Sequence, residues 1–250
     1  MQIERTVVAW AYEPASYFEG SVTFLGEGFD IKIENGLAEV TLSTPQNPVS
    51  GDLVRAIRER LDIIFMSRQL YVHIPYKING YSINQVRPDG SKDVQITISN
   101  AVMVVGSVSQ ADVIITDKDG SVIHDSKAIR IGEQLKQVES ILKTVKKREI
   151  IKSLLASYGR AVSDPSDELV HLYEIREALS KELRGEDNAV RILGISRNKW
   201  ERIGILANVE PLEEGRHRGK HEVRRTASQQ EIQEARDIAQ ELILSYIRTL

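Results

Sequence analysis

The hydrophobic period of the chain changes near residues 125–132. Before that point apolar residues alternate and turn residues recur every few positions. After it apolar residues fall three and four apart, and turn signals become sparse. A period of two puts side chains on alternate faces of a strand; a period near 3.6 puts them on one stripe of a helix. A chain that holds both in sequence is expected to be α+β. The reading is a mostly antiparallel β domain with one helix over residues 1–128, then an all-α bundle over residues 129–250.

In the first part, strands are predicted at 6–12, 21–25, 29–34 and 37–42. Asn35-Gly36 joins the last two as a hairpin, because both residues tolerate positive φ. Asn79-Gly80, Pro88-Asp89-Gly90 and Asp119-Gly120 read as further turns among strand-like runs at 70–74, 94–98, 102–105, 113–116 and 121–124. One helix, 51–68, has Ser50 as N-cap and Val54, Ile57, Leu61 and Ile64 at helical spacing. In the second part, Leu135 to Val145 and Ile150 to Tyr158 carry helical faces on one long helix or two. Ser163-Asp164-Pro165-Ser166 breaks the chain. The next helix carries Leu169, Leu172, Ile175 and Leu179 and ends at Gly185. A short helix stops at Gly194, another covers 197–207, and the last starts at a capping box, Ser228 to Glu231.

Composition narrows the function classes. Hydrophobic residues make up 41 % of the 250, which is enough for a sizeable core. The net charge is −3, so a nucleic-acid site has to be a local patch. There are no cysteines, which excludes disulfides and thiolate zinc sites. The N-terminus does not read as a signal peptide, and no apolar window approaches a membrane span. The expected setting is cytoplasmic, with no membrane partner.

The densest chemistry lies in residues 209–227, a connection long for a helical bundle. It begins acidic, with Glu210, Glu213 and Glu214, and continues with Arg216, His217, Arg218, Lys220, His221, Arg224 and Arg225. Arginine can clamp a phosphate with two parallel N–H donors. Histidine is the side chain best placed to move a proton near neutral pH. Gly215 and Gly219 allow sharp turns or close approach to a phosphate. Arg216 and His221 are separated by four residues, just before a capped last helix. This arrangement resembles the signature of HEPN domains, over at most residues 130–250.

The resemblance implies a HEPN-like bundle and a metal-independent endoribonuclease of toxin or phage-defence type, without a cofactor. It implies a homodimer whose two motifs share a basic cleft, RNA as substrate, and an antitoxin or other defence-system protein as partner. His221 would transfer the proton, Arg216 would stabilise the phosphoryl oxygens, and His217 would orient the backbone or share the proton transfer. Charge alone assigns phosphate contacts to Arg218, Lys220, Arg224 and Arg225. Two other readings stay open: a HEPN-like binding or dimerisation module without catalysis, and a solvated loop whose arginines pair with Glu210, Glu213 or Glu214.

Three further features compete. Residues 189–200 resemble a helix-turn-helix, with Gly194 at the turn, Ser196 as cap, and Arg197 and Lys199 facing a groove. An ordinary αα-hairpin uses the same residues. His171 and Glu174, three apart on a helix, could share a metal, although no third ligand is evident. Tyr173, Arg176 and Glu177 could line a cleft on that helix.

Overall fold

The computed structural model describes residues 3–97, 114–116, 119, 121–146, 148–216 and 223–250. By contact the chain separates into two compact units. One comprises Met1–Asp62 with Ile74–Glu139, the other Ile63–His73 with Ser140–Leu250.

The first unit holds a six-stranded antiparallel sheet of β1 (Arg5–Glu13), β2 (Val22–Phe24), β3 (Phe29–Glu34), β4 (Leu37–Leu42), β5 (Lys77–Val86) and β6 (Lys92–Thr97), in the order β2-β3-β4-β1-β5-β6. β1 pairs with β4 on one side and β5 on the other. Its run from Thr6 to Trp10 is buried, as suits an interior strand covered on both faces. Asn35 and Gly36 have φ of 48° and 82°, the left-handed pair that a tight hairpin between β3 and β4 requires. Helix α1 (Gly51–Val72) begins where Ser50 Oγ accepts the Leu53 N–H at 3.2 Å. A second, two-stranded sheet pairs β7 (Ile114–Thr116) with β8 (Val122–Asp125).

Two expectations for the N-terminal half need correction. Residues 70–74 do not form a strand: α1 runs to Val72, and His73 ends it with φ of 44°. The β-branched and aromatic character of Tyr71-Val72 yields to a helix already propagating from Ser50. Asn79-Gly80 is not a turn but lies within β5, where the pairing with β1 shifts register between Trp10 and Tyr12. Turn-type residues here accommodate a bulge instead. The expected run at 102–105 lies outside the described residues. The expected division at 128/129 falls inside helix α2 (Ser126–Val145).

In the second unit, α3 (Ile150–Ser163), α4 (Glu168–Glu182), α5 (Glu186–Leu193), α6 (Arg197–Asn208) and α7 (Gln229–Arg248) follow the end of α2. A 3-10 turn, Pro165–Asp167, separates α3 from α4. α4 packs against α3, α6 and α7. Its Leu169, Leu172, Ile175 and Leu179 are fully buried, each contributing about 1.5–3 kcal/mol by removal from water. Local signals end the helices as expected. Gly194 closes α5 with φ of 66°, Ser196 Oγ accepts the Lys199 N–H, and Ser228 and Glu231 form a capping box on α7. Among the described residues no helix is long and apolar enough to cross a membrane.

Candidate functional site

The connection between α6 and α7 is closed at its base by backbone hydrogen bonds. Glu213 N donates to Arg225 O at 3.0 Å, and Arg225 N donates to Pro211 O at 2.9 Å. Leu212, 2 % exposed, fastens this base to the core. Gly215 lets the next turn press against α6: a Cβ there would lie 3.1 Å from Ala207 O and 3.2 Å from Leu212 O. Arg216 N then donates to Ala207 O at 2.7 Å.

The Arg216 side chain reaches α4. Its Nη1 donates to Glu177 Oε1 at 2.7 Å, and its guanidinium lies over the Tyr173 ring, 5.8 Å from the centroid. The carboxylate, by hydrogen bond and by charge, holds the guanidinium protonated still more firmly than usual. Arg216 thus docks on Tyr173 and Glu177, two of the three α4 residues named as candidates to line a cleft.

The second arm is tied as firmly. Arg225 makes a two-pronged contact with Glu231, at 2.8 and 2.7 Å. The same carboxylate accepts the Ser228 N–H at 2.9 Å. Arg225 first, then the cap, pulls the Glu231 carboxyl down to about 2. Glu210 comes within 3.8 Å of Arg225, but Glu213 accepts from the Thr226 hydroxyl and Glu214 from the Ala227 N–H, so both fasten one arm to the other. Arg224 is exposed. His217, Arg218, Lys220 and His221 lie outside the described residues.

Behind Arg216, Arg176 was not expected to be buried. It is 9 % exposed, over the rings of Tyr173 (5.3 Å) and Trp200 (5.0 Å). It donates to the Tyr173 hydroxyl at 2.9 Å and to Glu186 at 2.6 Å. Gly204 on α6 permits this, because a Cβ there would meet the guanidinium at 3.4 Å. A glycine inside a helix was the one sequence signal of such a close approach. Trp200 itself is wholly buried, as a core residue would be.

A cavity of about 650 Å³ opens beside the loop base. Glu214 and Ala227 line it from the loop, Gln229, Gln230 and Gln233 from the first turns of α7, and Glu168 and Arg236 also line it. Glu168 is 3 % exposed, and Arg236 grips it through Nε and Nη2 at 2.6 and 2.9 Å. His73 Nε2 approaches it at 3.2 Å, and the other ring nitrogen lies 3.4 Å from the Tyr158 hydroxyl. Burial alone would raise the Glu168 carboxyl, but the Arg236 and His73 contacts outweigh it and leave the group below its ordinary value. Sequence reasoning missed this network because its members come from the residue that follows α1 and from α3, α4 and α7.

The remaining candidates are engaged within the helical unit. Arg197 pairs with Asp187, and Lys199 with Glu241 at 2.6 Å. His171 Nδ1 is 3.5 Å from Glu174, which Arg160 and Ser157 also hold at 2.7 and 3.1 Å. Among the described residues no cluster of three potential metal ligands occurs. Compared with known protein families, with curated proteins and with solved structures, the chain matches none.

Proposed function

We propose that the second unit is a HEPN-like domain and that residues 209–228 form a metal-independent endoribonuclease site of toxin or phage-defence type, active as a homodimer. One observation carries the reading. The motif's arginine is anchored through its backbone to Ala207 and through its side chain to Glu177 and Tyr173, while the far arm is tied to the cap of α7 by Arg225. A charged group that must meet a phosphate gains from being oriented before the substrate arrives.

In the proposed reaction the ribose 2′-hydroxyl attacks the adjacent phosphorus. The bond to the 5′-oxygen breaks, leaving a 2′,3′-cyclic phosphate and a free 5′-hydroxyl. The proton lost by the 2′-oxygen is matched by one gained at the 5′-oxygen, and His221 with His217 serves these transfers. Arg216 stabilises the charge on the non-bridging oxygens. Glu177 takes one of its five N–H donors, so the planar fork keeps others for a phosphate. Arg218, Lys220 and Arg224 track the RNA backbone, and Arg225, held on Glu231, adds positive charge beside it. The first unit would sense, recruit or inhibit, and an antitoxin or other defence protein would be its partner; the setting would be cytoplasmic.

Arg216→Lys tests the arginine's role. Lysine keeps the charge but loses the fork, and RNA cleavage in EDTA is expected to fall by about tenfold or more. Cleavage at the wild-type rate would remove Arg216 from the site.

A second reading treats the helical unit as a binding or dimerisation module. The Arg216–Glu177 pair favours it, since such a pair also serves plain structure. Its helix-turn-helix form is less favoured, because Arg197 and Lys199 are turned to Asp187 and Glu241. Duplex DNA binding lost in an Arg197→Ala, Lys199→Ala protein and retained in Arg216→Ala would support that form.

A further inference from the structure

We infer that the cavity between the loop base and the first turns of α7 is a subsite for one nucleobase of single-stranded RNA. The inference rests on the ribonuclease reading for its choice of RNA and assigns to that reaction a means of base selection. At about 650 Å³ the cavity is in the range of small-ligand pockets. It shares a wall with the motif loop, since Glu214 and Ala227 line it and bond to each other at 3.0 Å. A base bound there would sit next to the loop that carries the basic residues.

Among the described residues, the charges of the cavity argue against a phosphate. Two carboxylates, Glu168 and Glu214, face one guanidinium, Arg236, and that guanidinium is already spent on Glu168. What the walls offer instead is neutral and two-sided. Gln229, Gln230 and Gln233 each carry an amide with both donors and an acceptor. Gln233 Nε2 donates to Asp237 at 2.8 Å, which leaves its carbonyl oxygen as an acceptor. Paired donors and acceptors in one plane are what the edge of an unstacked base presents. Pro165 and Ile232 add apolar surface for its faces. The match comes from these side chains, not from the helix dipole. Glu168, which lines the cavity, is held by both His73 and Arg236.

The test uses the full chain carrying His221→Ala, so that RNA remains intact. Fluorescence anisotropy with short labelled single-stranded oligomers of A, C or U reads affinity base by base. One oligomer is expected to bind about tenfold more tightly than the weakest, the discrimination that one good amide–base pair provides. Replacing Gln229 and Gln230 by alanine should bring the three affinities to within about twofold of each other, with the weakest binder unchanged. Both glutamines are exposed, so an unaltered thermal unfolding curve verifies the fold. Equal affinities before substitution, no binding at all, or a preference that survives the substitutions would each overturn the inference. The two ideas fail separately. A chain that never cleaves RNA but shows glutamine-dependent preference loses the nuclease reading and keeps the subsite. A chain that cleaves with the same base selectivity in the glutamine variants keeps the nuclease reading and loses the subsite.

Discussion

In the proposed site Glu177 would set how much of the Arg216 charge is available to an incoming phosphate. The pair is about half exposed on both sides, so its own contribution to stability is small, about 0.2–1 kcal/mol. Its effect on binding should be clearer. Glu177→Gln keeps a polar partner but removes the competing anion. In a His221→Ala background, RNA is expected to bind about threefold more tightly at low salt, with the gain fading as salt is raised. An unchanged affinity would place Arg216 away from the RNA. Glu168 makes the opposite kind of pair, buried and structural. Its carboxyl is held below the ordinary value near 4.5, so its contribution is full above that pH and is lost as the pH falls through the depressed value. Glu168→Gln should lower stability at pH 7 by about 3 kcal/mol, and should flatten the loss of stability below pH 4.5 in chemical denaturation. A variant with an unchanged acid profile would show that the Arg236 and His73 contacts do not shift this carboxyl.

At the scale of elements, the loop between α6 and α7 depends on Gly215. A methyl group there would press on two backbone oxygens, at 3.1 and 3.2 Å, neither of which can swing aside like a side chain. Gly215→Ala is expected to cost about 1–2 kcal/mol and to speed amide hydrogen exchange at Arg216, whose N–H is bonded to Ala207. Unchanged protection at that amide would show the base to be more tolerant than the geometry implies. The same element shows how far sequence reading reaches. Ser196 and Ser228 could be assigned as caps, because a cap is formed within three residues. The hairpin at Asn35-Gly36 was equally legible, being local. Strand β5 was not, because Asn79-Gly80 looks like a turn and becomes part of a strand only through pairing with β1, far away in sequence. At the site, Arg216 and its docking face on α4 could be named separately. Their contact could not, and nor could the burial of Arg176 between Tyr173 and Trp200, which depends on how α4 meets α6 at Gly204.

At the scale of the whole molecule, the change of hydrophobic period does mark a change from sheet to helices. The compact units still do not follow one cut in the chain, since residues 63–73 belong with the helices that begin after 139. His73 and Leu70 explain why: the first meets Glu168, and the second's carbonyl accepts a hydrogen bond from Gln240 at 2.7 Å. The central claim remains chemical, that an arginine and a histidine in one loop cleave RNA without a metal. The most direct measurement compares wild type with His221→Ala on single-stranded RNA in EDTA, with analysis of the product ends. The account expects wild-type cleavage that leaves 2′,3′-cyclic phosphate and 5′-hydroxyl ends, reduced by about a hundredfold or more in the variant. Cleavage that persists in His221→Ala, or wild-type cleavage that stops in EDTA, would contradict it.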